Sequence, residues 1–447
     1  MKKIAKFLIV LGMMGQLSSC DYLDIVPDER AQESDTWKTE GAVRGYLYSC
    51  YGYLPANRTF GNSYWLAEEL TAVTKELFTT FKYGYYSPVS LGFTSNTWST
   101  IWNGIHQCYM FQESLKQVSN EYVTDEMKKQ YLAESNFLIA YYHFLSMRSY
   151  GPTMIIRSVI DLETPISGFP ERSSIDEVVA FINEKLDEAM SEGGLPTTWS
   201  GKDYGRATRL AALALKSRVY LYAASPLYNG NTEMYADFRS PLDGRQLIAQ
   251  EKSQAKWEIS ATQTKYAIDE VEKAKFHLYH DADAGEPSDA KPGLPNKAQR
   301  RLRYTNIDNQ TGNNPEIIWA DTRNDDYYGI QRRCPPRQTL GGKFAGISMT
   351  NCPTLQTIEA FYTKNGLPIN KDKTFDYDER YEYISAPENC DGNNYEDLVK
   401  YANFTPSSDK VMRLCTDREP RFYAWTTYHN GYFEFGKYNN EEISADP

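Results

Sequence analysis

The sequence predicts a mainly all-α protein in which long helices form a tetratricopeptide-like repeat scaffold. Three observations support this fold class. Apolar residues recur at steps of three and four through the first two-thirds of the chain, which is the spacing of one helix face. Capping residues and Gly or Pro stops mark the ends of these segments. Alanine and aromatic residues occupy the packing positions, where small side chains allow neighbouring helices to approach closely.

The first two long helices are predicted from an apolar stripe and from a clear stop signal. One begins near Ser95, and its stripe residues are spaced three and four apart: Trp98, Ile101, Trp102, Ile105 and Tyr109. The next spans about residues 125–150 and ends at Gly151-Pro152, because Gly adopts the conformation that ends a helix and Pro cannot continue one. The aromatic side chains on the predicted helices, among them Tyr141, Tyr142 and Tyr220, are expected to pack in the core.

Three further long helices follow, each with its own boundary signals. Ser174 and Glu177 form a capping box that opens the third helix, and Gly193-Gly194 is expected to end it. Thr208 caps the fourth, which runs from Leu210 to about Ala224 before a proline. The fifth spans about residues 254–275. No strict repeat period joins these helices, so the repeat scaffold is inferred from their lengths and packing residues.

Beyond residue 280 the sequence predicts long irregular loops. His280–Asn296 is rich in Asp, Gly, Pro and Ala, and Ile317-Ile318-Trp319 is expected to be a short β piece. One further helix is expected near Thr354–Tyr362. Long irregular segments on a rigid scaffold are where binding function tends to lie.

The N-terminus predicts export and lipidation. Three lysines flank the start of the apolar run Phe7–Met14, which is too short to span a bilayer and is typical of a signal peptide. Leu17-Ser18-Ser19-Cys20 resembles the lipobox of bacterial lipoproteins, so residues 1–19 are predicted to be cleaved and Cys20 to carry the lipid. The protein would then be anchored to a membrane without spanning it. An ordinary secretory signal with an incidental cysteine is the alternative.

Charge and residue spacing argue against several classes of partner. The chain has 48 Lys and Arg against 59 Asp and Glu, a net charge of −11, which disfavours nucleic acid. No metal site or cofactor is predicted, because C-x-x-C spacings are absent and the pair His277 and His280 lacks a nearby third ligand. The pairing of the remaining cysteines stays open. They are Cys50, Cys108, Cys334, Cys352, Cys390 and Cys415.

Several stretches, taken in order, resemble the SusD/RagB family of surface glycan-binding lipoproteins. They are Cys20–Asp24, Ala133–Phe144, Gly205–Thr208, Ala224–Asn229, Asn314–Ala320, Ala360–Ile369 and Arg418–Ala424. The resemblance implies an all-helical SusD-like scaffold with a loop-rich face and attachment to the outer membrane at the cell surface. It also implies a glycan ligand and a SusC-like TonB-dependent transporter as partner, which the lipoprotein would cap as a hinged lid.

One departure from the family pattern concerns the C-terminus. Family members usually continue after the Arg418–Ala424 motif into a further helical pair, with an Arg-x-Ala-Glu-x-Tyr-Leu-type motif, and nothing here matches it. Residues 20–447 are therefore expected to form a single SusD-like domain that lacks the usual C-terminal helical segment. Apolar scaffold surface would then be left uncovered.

The family motifs are expected to form helix caps, tight turns and helix contacts rather than a binding site. Binding residues are therefore expected in predicted loops that contain Gly and Pro. A sugar offers an apolar C–H face and a rim of hydroxyls, which suits exposed rings beside hydrogen-bonding side chains. The candidates form two clusters and one isolated ring. They are Tyr83, Tyr85 and Tyr86, then Arg323, Asn324, Asp325, Tyr327 and Tyr328, and finally Trp65. The alternative is that these tyrosines pack on the scaffold with only their hydroxyls at the surface.

Two other functions are also compatible with the sequence. A lid that binds peptide or another nutrient fits a helical-repeat scaffold equally well. An all-α glycoside hydrolase is less favoured, because adjacent acids such as Glu68-Glu69 and Asp325-Asp326 point apart and form no catalytic pair. The acidic chain favours neutral over polyanionic glycans, unless Arg332, Arg333 and Arg337 form a compensating basic patch.

Overall fold

The fold comes from a computed structural model that describes residues 37–55, 68–72, 93–161, 163–280, 298, 301–302, 305–306, 314–323, 351–385 and 410–428. Cys20 and the predicted signal peptide lie outside these residues. Within them, no helix is both long enough and apolar enough to cross a bilayer.

Helices dominate the described residues, and the strands are short. The helices are α1 Glu40–Tyr51, α2 Phe93–Leu115, α3 Asp125–Tyr150, α4 Ile175–Ala189, α5 Arg209–Ala224, α6 Thr232–Tyr235, α7 Gln254–Lys273, α8 Leu355–Ala360 and α9 Pro420–Trp425. Strand β1 (Leu70–Ala72) pairs antiparallel with β2 (Asn351–Pro353), and β3 (Tyr383–Ser385) pairs antiparallel with β4 (Lys410–Met412). The prediction of a mainly all-α fold with short β pieces is confirmed.

The capping signals in the sequence act as predicted at the helix starts. The Ser174 hydroxyl accepts from the Glu177 backbone N–H at 3.3 Å, and the Glu177 carboxylate accepts from the Ser174 backbone N–H at 2.7 Å. Thr208 caps α5 in the same way, accepting from Ala211 N–H at 3.0 Å. Helix α4 ends at Ala189, four residues before Gly193-Gly194. The chain reverses there, and the backbone N–H of Leu195 donates to the Ala189 carbonyl at 3.0 Å.

Helix α1 was not predicted from the sequence. Thr39 caps it, and Val43, Leu47 and Cys50 form its buried face at helical spacing. Glycines at positions 41 and 45 lower its intrinsic helix propensity, so this helix depends on the packing of its apolar face.

The long helices pack in sequence order around α3. Helix α1 contacts α2, α2 contacts α3, α3 contacts α4, α4 contacts α5, and α5 contacts α7. Tyr142 of α3 joins three of them. Its ring is fully buried against Gly104 of α2, where an added Cβ would lie 2.6 Å from the ring, and its hydroxyl donates to the Cys50 carbonyl at 2.6 Å. Each long helix is therefore held by its neighbours along the chain, as in a helical-repeat scaffold.

The predicted β piece at Ile317-Ile318-Trp319 is wrong, because this segment is irregular and pairs with no strand among the described residues. A turn precedes it, closed by the Ile317 N–H and the Asn314 carbonyl at 3.4 Å. The apolar run packs on the helices instead. The Trp319 ring meets Phe137 edge-on with centroids 5.1 Å apart. Residues 317–319 are therefore apolar because they pack against the helices, and not because they belong to a β-sheet.

Arg418 organises the packing of residues 351–385 with 410–428. Its buried guanidinium donates to the carbonyls of Leu414 at 2.6 Å and of Ile358 and Phe361 at 2.7 Å each. The Arg418–Ala424 motif is thus structural, as expected. The cysteines in the described residues (Cys50, Cys108, Cys352 and Cys415) are free thiols.

Candidate functional site

A cavity of about 720 Å³ lies where the C-terminal end of α1, the face of α3, the 3₁₀ turn Gly201–Asp203 and residues 319–323 meet. Aromatic side chains make up much of its lining: Tyr48, Tyr51, Tyr141, Tyr204 and Trp319. Its size and its mixture of rings with polar groups are those of a small-molecule site.

Gly205 and Trp319 shape one wall of the cavity. Gly205 has φ +98°, a backbone conformation that favours glycine, and an added Cβ would lie 2.8 Å from the Thr322 side chain. Both the backbone conformation and the close packing therefore require glycine at this position. The Trp319 indole donates to the Gly205 carbonyl at 2.8 Å, and its ring meets Tyr141 edge-on at 5.4 Å. Two family motifs distant in sequence are locked together at this point.

A buried ion pair supports the cavity floor. The Arg206 guanidinium donates to both oxygens of the Glu134 carboxylate, which is fully buried on α3, and to Asp203 at 2.8 Å. Tyr51 donates to the same carboxylate at 2.6 Å. Burial lowers the pKa of Arg206, but the hydrogen bonds to Glu134 and Asp203 outweigh that effect and hold its pKa above the ordinary value. The guanidinium therefore stays charged.

Arg323 closes the cavity beside the end of α1. Its guanidinium donates to the carbonyls of Leu54 at 2.9 Å and Pro55 at 2.7 Å, and to the Asp321 carboxylate at 2.8 Å. These contacts hold residues 319–323 against the segment that directly follows α1. Arg323 thus positions the wall in addition to lining the cavity.

Three tyrosine hydroxyls in the lining make no hydrogen bond within the described residues: those of Tyr48, Tyr141 and Tyr204. Burial raises the pKa of both Tyr48 and Tyr204, so these phenols stay protonated and can donate as well as accept. Two exposed cations, Arg148 at the end of α3 and Lys202 in the 3₁₀ turn, also line the cavity.

The chemistry of the described lining suits the binding of a ligand. Asp321 is the one carboxylate among its described residues, and it is engaged by Arg323. Two carboxylates facing a common point, which glycoside hydrolysis needs, are not assembled by these residues. Rings and free hydroxyls can instead cover an apolar face and bond to a polar rim.

Among the residues predicted to bind ligand, Arg323 lies in the described part of the chain and lines the cavity. The others lie outside the described residues: Tyr83, Tyr85, Tyr86, Asn324, Asp325, Tyr327, Tyr328 and Trp65. Tyr48, Tyr204, Arg148 and Lys202 also line the cavity and are not among the residues predicted from the sequence. Tyr141 packs on the core as expected, but it is only half-buried and also faces the cavity. The adjacency of Tyr204 to the Gly205 break was the available signal for a site here.

Two family models match the chain. Residues 21–221 match a family described as starch-binding and associating with the outer membrane, and residues 315–445 match the SusD family. The chain belongs to the SusD/RagB family.

Solved structures agree with this membership. The SusD/RagB chain is similar to BT4246, with 28% identity and a TM-score of 0.68, over 89% of this chain and 66% of that one. It also resembles the SusD-like protein BF3747 from Bacteroides fragilis NCTC 9343, with 20% identity and a TM-score of 0.58, over 88% of this chain and 61% of that one, which supports the fold alone. The chain thus spans just under two-thirds of the length of BT4246. No curated protein matches the sequence.

Proposed function

We propose that this SusD/RagB protein is a cell-surface lipoprotein that binds glycan in the cavity between α1 and α3. It would deliver the glycan to a SusC-like TonB-dependent transporter in the outer membrane. The observation that carries the proposal is the lining itself, in which Tyr48, Tyr141 and Tyr204 present rings beside hydroxyls that have no partner within the described residues.

The physical basis is the match between such a lining and a sugar ring. An aromatic face covers the axial C–H surface of the sugar, while phenol hydroxyls exchange hydrogen bonds with the sugar hydroxyls and replace lost water. Because these three hydroxyls have no hydrogen bond within the described residues, a sugar can bind them without breaking a contact made by that part of the chain. The Trp319, Arg323 and Arg206 contacts hold the wall and floor in place before the ligand arrives.

The family supports binding in preference to catalysis. One matching family is described by starch binding and by association with the outer membrane, and this description motivates both the glycan ligand and the location proposed here. Lipidation of Cys20 and cleavage after residue 19 would supply the anchor. Tyr83, Tyr85, Tyr86, Tyr327 and Tyr328, which the sequence predicts as ligand contacts, remain part of the proposal.

Native gel electrophoresis of the purified chain through gels that each contain one polysaccharide tests the binding step. We expect retardation in at least one glycan gel, and we expect the Tyr48→Phe/Tyr204→Phe variant to migrate faster there. Tyr122→Phe, which removes an exposed hydroxyl outside the cavity lining, is the matched control and should be retarded like the wild type. Retardation in no glycan, together with capture of a peptide, would favour the peptide-binding lid instead.

Affinity purification of the lipoprotein from outer membranes tests the delivery step. We expect a TonB-dependent transporter to co-purify with it in stoichiometric amount. A Cys20→Ala variant should leave the membrane fraction, which separates anchoring from glycan binding. Recovery of the wild-type lipoprotein without any transporter would contradict the proposed partnership.

A further inference from the structure

The cavity lining has the opposite charge balance to the chain as a whole. The chain carries an excess of acidic residues and a net charge of −11. The described lining carries four basic residues, Arg148, Lys202, Arg206 and Arg323, against the single acid Asp321. The described lining is therefore more basic than the chain as a whole, which concentrates positive potential in the cavity.

Two of these four cations are already neutralised. Arg206 is bound by Glu134 and Asp203, and Arg323 is bound by Asp321 and two backbone carbonyls. Both are components of the wall and floor.

The other two cations, Arg148 and Lys202, pair with no carboxylate within the described residues. The Arg148 guanidinium lies over the Phe144 ring, 5.8 Å from its centroid, and Lys202 is exposed in the turn Gly201–Asp203. The C-terminal end of α3 accounts electrostatically for a cation at Arg148, but it does not account for Lys202. The two side chains come from separate elements and meet at one cavity.

We propose that the cavity selects glycans bearing an anionic group, a carboxylate or a sulfate, and that Arg148 and Lys202 bind that group. This inference rests on the glycan-binding function proposed above and names the class of glycan. A guanidinium and an ammonium form charge-assisted hydrogen bonds to an anionic oxygen, which are stronger than bonds between neutral groups. The tyrosine hydroxyls then bind the neutral hydroxyls of the same sugar.

The net charge of the chain does not oppose this selection. Net charge favoured neutral glycans when only composition was considered. However, exposed charges are screened over a Debye length of about 8 Å at physiological ionic strength, so the nearest cations dominate inside the cavity. The positions of Arg148 and Lys202 therefore matter more for ligand charge than the net charge of the whole chain.

A glycan array carrying neutral, uronate-containing and sulfated oligosaccharides tests the inference. We expect the purified chain to bind acidic members, and the array separates carboxylate from sulfate as the source of the charge. For each bound glycan, calorimetry would compare the wild type with Arg148→Gln/Lys202→Gln. We expect the variant to bind at least about tenfold more weakly, which corresponds to the loss of one strong charge-assisted bond.

The matched control is Lys371→Gln/Lys373→Gln, which removes two exposed cations outside the cavity lining and should leave affinity unchanged. Binding of neutral glycans only, with the same affinity in the Arg148 and Lys202 variant, would overturn the anionic selection and leave glycan binding intact. Binding of acidic glycans unaffected by the double variant would overturn the assignment of these two residues. Binding of no glycan at all would instead refute the proposed function.

Discussion

Arg206 and Glu134 form a buried ion pair that ties the residues just before α5 to the middle of α3, across 72 positions of sequence. Arg206 also lines the cavity, whereas Glu134 is fully enclosed beneath it. The hydroxyl of Tyr51 bonds to Glu134 and accepts from the Ala207 N–H at 3.0 Å, so α1 joins the same network. The residues that form the floor of the cavity thus also stabilise the packing of the helices.

Replacing Glu134 by Gln should destabilise the protein strongly. It leaves the Arg206 charge buried with only Asp203 as a counter-charge, and breaking such a pair costs about 3–5 kcal/mol. The free energy of unfolding from urea titration measures the loss. Glu184→Gln is the control, because the Glu184–Arg157 pair is exposed and should contribute about 1 kcal/mol or less. Equal losses in the two variants would show that the buried pair has no special role.

Acid should destabilise the protein through His143. Its Nδ1 donates to the Ile139 carbonyl at 2.7 Å and its Nε2 accepts from the Ile156 N–H at 3.3 Å, so a second proton would face a donor. Burial lowers the pKa of His143 from 6.5 to about 4. In the unfolded chain, His143 takes up a proton as the pH falls below about 6.5. In the folded chain it does so only near pH 4. The free energy of unfolding therefore decreases as the pH falls from about 6.5 to about 4.

A His143→Gln variant isolates this effect from the titration of carboxylates. It should be less stable than the wild type at pH 7, and the difference should shrink by about 3 kcal/mol at pH 4 because only the wild type loses the histidine contribution. Urea unfolding at the two pH values measures it. A difference that stays constant with pH would mean that His143 titrates normally in the folded chain.

Removing the free tyrosine hydroxyls should weaken ligand binding without destabilising the fold. Tyr48→Phe and Tyr204→Phe each delete a group that has no hydrogen bond within the described residues, so the free energy of unfolding should change little. Each lost bond to a sugar hydroxyl should reduce affinity about twofold to tenfold, as a neutral hydrogen bond contributes about 0.5–1.5 kcal/mol. Calorimetry with the glycan identified on the array measures this. Unchanged affinity in both variants would exclude these hydroxyls from the site.

Arg323→Gln should loosen the cavity wall. The variant loses the hydrogen bonds to Leu54 and Pro55 that hold residues 319–323 against the segment after α1. We expect faster amide hydrogen exchange in residues 314–323 and weaker glycan binding, because the wall is no longer held in the binding geometry. Arg421→Gln is the matched control, since Arg421 also pairs with a carboxylate two residues earlier but lies outside the cavity lining. Faster exchange without any loss of affinity would limit Arg323 to a structural role.

The sequence predicted the long helices well because their signals are local. Ser174, Thr208 and Gly151 act within one turn of the helix ends that they mark, and α3 and α5 lie at or within one residue of the expected bounds. Helix α1 and the irregular Trp319 segment were not predicted, because both depend on distant partners. Trp319 is fixed by Phe137 and Gly205, and apolar composition alone does not separate such an anchor from a strand.

The cavity was harder to predict for the same reason. Tyr48, Tyr141 and Tyr204 lie on three different elements, and no spacing in the sequence relates them. Tyr141 also belongs to an apolar helix stripe, where core packing is the ordinary expectation. The Gly205–Thr208 and Asn314–Ala320 motifs were expected to be structural. Both motifs do have structural roles. Gly205, Arg206 and Trp319 from these motifs also line the cavity, so the same residues stabilise the fold and form the wall of the site.

The most direct test of glycan binding in this cavity is a crystal structure of the protein with the oligosaccharide that binds best on the array. We expect a sugar ring in the cavity, in contact with Tyr48, Tyr141 and Tyr204, with its anionic group at Arg148 and Lys202. An oligosaccharide bound elsewhere, for example only at residues 83–86 or 324–328, with none in the cavity, would contradict it.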